Sequence, residues 1–453
     1  MKALWHLDWL RLRRQAATWF LLGGLFLAGL TAIYLGKKFQ EQQQAEISRL
    51  DAQFQAQCDR LEHRYREKGE HSGYWSYYSF YPVHQPPRPL AALSWGLRDV
   101  APFVTSVRLL GLEQQLYESS LANPLLQSLG QFDLAFVLGV LAPLVLLLLG
   151  HDVLSRDRQL GVLPLLAAQG GGGLLRVLIA RLLLRFVLVV IVCSVLFGIA
   201  ILVLKLPASL DTFAWLFIAL LGLLPWLALT AVIAARSRSA TGSLAAAMTA
   251  FVCLVLLMPA LVNLTLSTLF PVPEGLELTV RQRQVMHDGW DQPRQPNFDR
   301  YLTQHPEYRQ WPTVPEKDFT WRWYYAMHEV ADRSVAELVN QHTQHLRQRH
   351  AWSQRLAWLS PPALTQSLLS GHSGTDLDAH LLHLETTRNF HDQLKAHFFP
   401  LIFAETHFTA GATKSFPRFQ NAAPAPAAPL NPLPPLLLSL LILPFARPRP
   451  VLS

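Results

Sequence analysis

Four stretches of this chain contain no aspartate, glutamate, lysine or arginine, and they constrain the fold more than any other feature. They are residues 134–150, 186–204, 212–235 and 239–273. Crossing the hydrocarbon core of a bilayer, about 30 Å thick, takes about 20 apolar residues in a helix. Backbone polar groups in lipid must find partners within the segment, so each crossing should be helical. These stretches predict an all-α polytopic membrane protein.

A further apolar stretch, residues 16–36, is too long for the apolar region of a signal peptide, and no small-residue cleavage site follows it. We therefore expect it to be retained as a transmembrane helix. A shorter apolar run near the C-terminus completes a prediction of six transmembrane helices. The predicted spans are 16–36, 132–150, 183–204, 212–234, 244–270 and 433–446, with the third to fifth within 183–270.

The composition agrees with a membrane protein, since 51% of the residues are apolar and 15% are charged, against about 25% charged in an ordinary soluble domain. This excludes a disordered chain and a plain cytosolic enzyme. The net charge is +8, but no run of five like charges occurs, so nucleic acid is not an expected partner. Cys58 is the only cysteine in its segment, which predicts no intrachain disulfide there.

Lysine and arginine in short loops mark the cytoplasmic side of a membrane protein. The residues that decide the orientation are Lys2, Arg11, Arg13, Arg14, Arg156, Arg158, Arg176, Arg181, Arg236, Arg238, Arg447 and Arg449. They outnumber Lys37 and Lys38, which follow the first span on its other side. Both termini are therefore predicted to be cytoplasmic, in the inner (plasma) membrane.

This orientation assigns every remaining segment to one side. Residues 1–15 mix tryptophan and leucine with basic residues and predict an interfacial helix on the cytoplasmic leaflet. Residues 151–182 form a cytoplasmic loop and 447–453 a cytoplasmic tail. Two mainly helical extracytoplasmic domains are predicted, at 37–131 and 271–432.

Within these domains the apolar spacing predicts helices over 39–68, continuing the first span, and within 318–359 and 376–399, the last ended by Pro400. The aromatic segment 74–81, followed by several prolines, cannot be a long helix. It is interpreted as a packed hairpin or extended strip, with a substrate-facing aromatic surface as the less favoured alternative.

No motif for covalent chemistry stands out. The pairs His342/His345 and His380/His383 could each share a helix face, but nothing nearby completes a zinc site, and solvated helix faces are favoured. The segment 328–332 resembles the zinc-protease His-Glu-x-x-His motif but ends in aspartate. The chain is therefore predicted not to be an enzyme and to hold no cofactor or metal.

The spans also lack acidic residues near their middle, where ion-coupled carriers usually keep ionisable groups. Energy for any transport would then come from elsewhere, for example from a separate ATPase. The chain has no nucleotide-binding phosphate loop of its own. Residues 170–173 are four consecutive glycines, interpreted as a flexible break between two cytoplasmic helices.

The segment after the second span carries the most specific pattern. It runs Leu154-Ser155-Arg156-Asp157-Arg158-Gln159-Leu160-Gly161-Val162-Leu163. It resembles the cytoplasmic loop of ABC-2-type permeases, in which an acidic-basic-acidic-x-Gly-Thr-Leu pattern precedes a short helix that docks on the ATPase. Asp157, Gly161 and Leu163 match this pattern. Gln159 and Val162 stand where glutamate and threonine are usual.

Further motifs extend the resemblance over nearly the full chain, to a bacterial subfamily of these permeases with two large extracytoplasmic domains. Residues 86–93 match Pro-x-x-Pro-Leu-Ala-Ala-Leu, and residues 359–364 match Leu-Ser-Pro-x-x-Leu. A third motif is matched by Phe390, His391, Phe398, Phe399, Ile402 and Phe403. The end of the chain departs from the pattern, because a proline-rich stretch at 422–435 precedes a short final span.

The resemblance implies the permease subunit of an ATP-driven exporter. ATP and Mg would be bound by a separate ABC ATPase, docked on residues 151–182 and on the N-terminal helix. Six spans are half of a working unit, so a second permease copy, identical or paralogous, is an expected partner. The residues implied to contact the ATPase are Arg156, Asp157, Arg158, Gln159, Gly161 and Leu163.

Two other functions stay open from the residues alone. The chain could be a membrane-anchored sensor or scaffold that transports nothing, or, less favoured, an outward-facing membrane peptidase. The substrate is not specified, because the tryptophan, tyrosine and histidine side chains of the outer domains suit a peptide, a lipid, a metal chelate or a protein partner.

Overall fold

The computed structural model describes residues 2–66, 69–118, 132–169, 173–272, 274–420 and 433–447. The chain is about 78% helical and has almost no sheet, so the prediction of a mainly helical protein is confirmed. Five helices in the described part are long and apolar enough to cross a membrane: Ala16–Arg64, Leu134–Gln159, Gly173–Leu204, Leu210–Arg236 and Ala240–Leu269.

The main elements are, in chain order, α1 (Lys2–Arg13), α2 (Ala16–Arg64), β1 (Glu70–His71), α3 (Ser72–Tyr77), β2 (Tyr81–His84), β3 (Val104–Val107), α4 (Leu112–Glu118), α5 (134–150), α6 (Ser155–Gln159), α7 (Leu163–Gln169), α8 (Gly173–Leu204), α9 (Leu210–Leu221), α10 (Leu224–Arg236), α11 (Ala240–Leu269), α12 (Glu274–Asp291), α13 (Arg294–Gln304), α14 (Trp321–Ser334), α15 (Ala336–Leu356), α16 (Pro361–Ser373), α17 (Leu377–Phe403), β4 (His407–Phe408) and α18 (Leu433–Ile442).

The first candidate span and the polar helix predicted after it form one continuous helix. α2 has 49 residues, which at 1.5 Å per residue is about 73 Å, well over twice the thickness of the hydrocarbon core. Its C-terminal half therefore projects beyond the bundle of apolar helices. This confirms the sequence prediction for residues 39–64.

Serine caps and prolines shape the apolar helices. The Ser209 and Ser239 hydroxyls accept the backbone N–H of Thr212 (3.3 Å) and Gly242 (3.1 Å), which starts α9 and α11. Pro225, in the first turn of α10, lacks an N–H and crowds the carbonyl four residues before it, so α9 and α10 are separate helices.

Two other prolines coincide with π-turns. In α5 the π-turn Val137–Leu141 precedes Pro143, and in α11 the π-turn Cys253–Leu257 precedes Pro259. A wider turn makes room for the proline ring without breaking the helix. α5 and α11 differ in burial, because 72% of the apolar stretch of Leu134–Gln159 is buried in the chain but only 6% of that of Ala240–Leu269.

The segments 43–118 and 274–420 pack together at one end of the bundle, and we call this body the head. One hydrophobic cluster combines residues of α2, such as Phe54, with Trp75, Tyr325 and Phe398. Two short antiparallel pairs, β1 with β4 and β2 with β3, are the sheet structure of the described residues. β1–β4 joins the first polar segment to the end of the second.

Helix α16 leaves the head and packs among the apolar helices. The Ser360 hydroxyl, which precedes α16, donates to the Leu254 carbonyl (2.7 Å) in the π-turn of α11, close to the middle of that helix. At the other end of α16, Trp215 of α9 donates its indole N–H to the Ser373 hydroxyl (3.1 Å). The sequence assigned residues 361–373 to the second polar domain, whereas in the structure they lie between α5, α9 and α11.

Two local predictions in the head have clear outcomes. The aromatic segment 74–81 is partly packed, with Trp75 and Tyr81 fully buried and Tyr78 and Phe80 exposed. The predicted hairpin or extended strip is wrong for residues 74–77, which belong to the short helix α3, and right for Tyr81, which starts the β2–β3 pair. The prediction that Pro400 ends its helix was wrong, since α17 continues to Phe403. Pro400 cannot donate to the carbonyl of Ala396, and the helix ends within one turn after it.

The predicted sixth span is a short apolar helix, Leu433–Ala446, which packs along α10. Its 14 residues would extend about 21 Å, less than the hydrocarbon thickness. The Arg236 side chain at the end of α10 donates to the Phe445 carbonyl (3.3 Å). The proline-rich residues 422–432 and the tail 448–453, including Arg449, lie outside the described residues.

We expect Gly96→Ala to destabilise the contact, within the head, between residues 96–99 and the segment that precedes α17. Gly96 has a φ of +53°, and a Cβ there would lie 2.2 Å from the Thr375 carbonyl oxygen. Left-handed strain alone costs about 1–3 kcal/mol, so the thermal unfolding temperature of the purified protein in detergent should fall by several degrees. Gly198→Ala is the control, because its Cβ would meet no atom within 4 Å. Equal unfolding temperatures for the two variants would contradict the expectation.

Candidate functional site

The segment that resembles the permease coupling loop lies at the end of the bundle opposite the head, which we call the loop end. α6 follows α5 after one turn, and α1 packs against α8 beside it. The carboxylate of Asp157 in α6 is buried, with a side-chain exposure of 6%. It therefore faces the protein rather than a partner.

Two buried aspartates and three arginines join α1, α6 and α8. Asp157 accepts hydrogen bonds from Arg181 and from Arg11 Nη1 (3.4 Å). Asp8 of α1 accepts from Arg185 Nη1 (2.5 Å) and lies 3.8 Å from Arg181 Nε. We call these five residues the arginine–aspartate cluster. Each carboxylate has at least two cations beside it, as a buried charge requires.

The cluster also holds the end of α5. Arg185 Nε donates to the Leu149 carbonyl (2.7 Å), and Arg181 Nη1 donates to the Val153 carbonyl (2.7 Å). These carbonyls belong to the last turn of α5 and the turn after it, where intrahelical donors are missing. α1, α5, α6 and α8 are thus connected through two guanidinium groups.

The rest of α6 contacts the loop end of α10 and α11. The Arg158 guanidinium donates to the carbonyls of Ser237 and Ala235 (3.4 Å for the latter). The Gln159 side-chain oxygen accepts the Ala240 backbone N–H (3.3 Å) at the start of α11. A displacement of α6 would therefore act on α8, α10 and α11.

A glycine separates α6 from the short helix α7. Gly161 has a φ of +67°, in the left-handed region that glycine favours, and nothing lies near the position of its missing Cβ. Leu163 follows, 2% exposed, and packs with Val153, Leu154 and Val177. Residues 170–172 of the glycine run lie outside the described part.

The six residues predicted to contact an ATPase therefore divide into two groups. Asp157, Arg158 and Leu163 are turned into the protein. The other three are exposed: Arg156, Gln159 and Gly161. The exposed surface also has apolar members that sequence reasoning missed, with exposures of 66% for Leu160, 36% for Val162 and 62% for Leu165. The sequence signal that could have identified these residues is the presence of apolar side chains beside charged ones in a short loop.

In the head, the zinc-protease-like segment has structural partners. His328 Nδ1 accepts the Gly111 backbone N–H (3.1 Å), and the Asp332 carboxylate accepts the Leu112 N–H (2.6 Å) and Gln282 Nε2 (2.5 Å). Glu329 accepts from Lys395 (3.1 Å) and Arg333 (2.9 Å). These bonds fasten α4 to α14 and leave no shared ligand set.

The predicted histidine pairs also do not converge on a metal-like set. Among the described residues, the group of three side chains whose ligand atoms lie within 4.8 Å of one another is His350, Asp376 and Asp378, which includes neither pair. His383 is buried, and burial lowers its pKa to about 4. The sequence analysis had favoured a solvated helix face for this histidine. The structure shows instead that His383 is a core residue.

We predict that Asp8 and Arg185 stabilise the protein only as a pair. Asp8→Ala or Arg185→Met alone leaves a buried charge with fewer partners and should cost about 3–5 kcal/mol, whereas the double variant should cost clearly less than the sum. Thermal unfolding in detergent measures this cycle. The exposed Arg156→Gln is the control and should change little. Additive losses would show that the two residues are not coupled.

The head should be most stable near pH 6.5. Burial raises the pKa of Asp332 to about 8, so the folded state keeps a proton that the unfolded chain loses, and stability falls as the pH rises toward 8. Burial lowers the pKa of His328 to about 3 and of His391 to about 4. In the unfolded chain these imidazoles have a pKa of about 6.5 and gain a proton that the folded state does not bind. The stability of the head therefore falls as the pH falls below about 6.5.

Asp332→Asn should remove the loss of stability between about pH 6.5 and 8. It should also steepen the loss on the acid side, because the Asp332 carboxyl opposes the histidines from about pH 4, its pKa in the unfolded chain, up to about pH 8. Tryptophan fluorescence during thermal unfolding across this pH range measures both limbs. Exposed Asp291→Asn, in α12, is the control. If the stability of Asp332→Asn still falls between about pH 6.5 and 8, that fall belongs to another titrating group.

Comparison with known proteins identifies one similarity. Residues 276–422, about a third of the chain, match a family described as a domain of unknown function (DUF3526). No curated protein and no solved structure matches the chain. The matched region covers α12 to the end of the head and includes α16, and its description names no activity.

Proposed function

We propose that this chain is the permease subunit of an ABC-2-type exporter in the bacterial inner membrane, with both termini in the cytoplasm. A separate ABC ATPase would bind ATP and Mg and dock at the loop end. The observation that supports this best is the exposed surface of α6 and α7. Its anchoring residues are fixed inward, and Arg156, Leu160, Val162 and Leu165 are left for a partner.

This surface has the chemistry of a docking helix. Exposed leucines at 160 and 165, rimmed by Arg156, suit an apolar groove with an acidic edge on the ATPase. Covering these exposed apolar side chains with a partner removes apolar surface from water, which favours binding. The exposed glycine at 161 lets α6 and α7 keep different directions against that partner.

The arginine–aspartate cluster gives such docking a route to the spans. ATP binding would move the ATPase against α6 and α7. Asp157 carries that displacement to Arg181 in α8 and to Arg11 in α1. Arg158 carries it to the end of α10. The spans would then shift between two packings, selected by differential contacts with the ATPase.

A second copy of the permease would complete the transport unit. α11 is the span with the least burial, and its exposed side chains include Leu256, Leu257, Leu261 and Leu264. A sixth crossing would be made by Leu433–Ala446, whose end lies beside Arg236 at the loop end. That crossing is short, and local thinning of the bilayer would accommodate it.

We expect the double variant Leu160→Asp and Leu165→Asp to lose its ATPase partner. Both side chains are exposed, so the fold should be kept while the apolar contact is replaced by charge. The measurement is co-purification with the ABC ATPases of the source organism, and the ATPase activity of the captured subunit with the permease in lipid nanodiscs. Stimulation should fall about tenfold or more, which corresponds to about 1.4 kcal/mol or more of lost coupling.

Val280→Asp is the matched control, since Val280 is 56% exposed but lies in α12 of the head. It should keep full stimulation. If the loop variant also keeps full stimulation, this surface is not the docking site. If the unmodified chain stimulates no ATPase, the sensor or scaffold function is favoured over transport.

A further inference from the structure

A cavity of about 390 Å³ lies between the head-end half of α11 and the helices α15 and α16. Sites for small molecules usually measure about 300–1,000 Å³. The cavity is separate from the loop end. The residues of α11 that line it lie between Pro259 and Leu266, in the half of the helix nearer the head. Its two walls differ in chemistry.

One wall of the cavity is apolar. It is formed by Pro259, Val262 and Leu266 of α11, with Leu346 and Leu356 of α15 opposite. The same stretch of α11 exposes other leucines on its outer surface, so the wall is continuous with an exposed apolar surface. An acyl chain could therefore enter the cavity sideways without leaving an apolar environment.

The other wall is polar and contains the Arg349 guanidinium, with the Asp376 and Asp378 carboxylates near its neighbour His350. Arg349 of α15 donates to the Asn263 side-chain oxygen (2.9 Å) and forms no ion pair within the described parts of the chain. His350 Nε2, next to it, lies 3.8 Å from an Asp378 carboxylate oxygen. Ser353 is one helical turn beyond Arg349 and also lines the cavity.

An arginine beside a membrane-spanning helix is costly unless an anion or water compensates it. A guanidinium offers a planar set of N–H donors that matches the oxygens of a phosphate group, and a nearby hydroxyl adds a further donor. The cavity thus combines an anion-binding group with an apolar slot on the same helix face. Free phosphate would use only the first of these features.

We propose that this cavity binds an amphipath of the phospholipid type, with its phosphate headgroup at Arg349 and Ser353 and an acyl chain along α11. The cavity needs only the head and α11, so this site does not depend on the proposed transport function. The chemistry selects a charged headgroup and one chain, and it disfavours a soluble anion.

The test uses the purified full-length chain in detergent and lysophosphatidic acid, which has one acyl chain and a phosphate. Binding is counted by native mass spectrometry and titrated by microscale thermophoresis. Arg349→Gln should lower the affinity for lysophosphatidic acid at least tenfold. Arg349→Lys should lower the affinity less, because the charge is kept. Val262→Trp, which fills the apolar wall, should also weaken binding with Arg349 intact.

Arg347→Gln is the matched control, because Arg347 lies on the same helix but faces Glu385 (3.8 Å) and does not line the cavity. It should bind like the unmodified protein. The proposal is overturned if Arg349→Gln and Val262→Trp, with unchanged unfolding temperatures, both bind normally. It is also overturned if monoacylglycerol binds as tightly, or if equimolar inorganic phosphate displaces the lipid.

Discussion

The arrangement of the loop end depends on charges that are buried rather than displayed. Asp8 and Asp157 would be very unfavourable in an apolar bundle without Arg181 and Arg185, and the arginines would be equally unfavourable without them. Because the four side chains come from α1, α6 and α8, none of these elements can move alone without exposing a charge to an apolar environment. The desolvation cost of these charges thus makes α1, α6 and the start of α8 behave as one rigid unit. A partner that binds the outer side of α6 contacts this unit at an edge that carries the exposed Arg156 and Leu160.

The head is connected to the same bundle by packing and by neutral hydrogen bonds rather than by ion pairs. α16 has few charges and fits between apolar helices through small contacts, such as Thr365 beside Gly222 and Ser360 on the π-turn of α11. A π-turn leaves a backbone carbonyl available, and the Ser360 hydroxyl satisfies it. The bundle therefore has an ionic connection at one end and a packed, neutral connection toward the other. Movements at the two ends can be transmitted through α5 and α11, which contact both.

The parts of the fold that were predictable follow from local pattern. The absence of charge over about 20 residues is enough to find a span, and apolar spacing predicted that α2 continues beyond it. The insertion of α16 was not predictable, because 13 residues with two prolines and several polar side chains lack the length and hydropathy of a span. The partners of the site were also hidden. Asp8 and Arg185 are 177 residues apart, and only the tertiary structure shows which arginine faces a carboxylate and which faces water.

The position of α16 has a consequence for how this protein can be divided. The region that matches the family of unknown function, residues 276–422, looks like a self-contained module by sequence. Yet it encloses a helix whose contacts, Gly222, Trp215 and Leu254, all belong to the spans outside it. Expressed alone, the module would present the bare faces of α16 to water and should aggregate. The packing that this module needs in order to fold therefore lies partly outside it, in residues 43–118 and in the helices α5, α9 and α11.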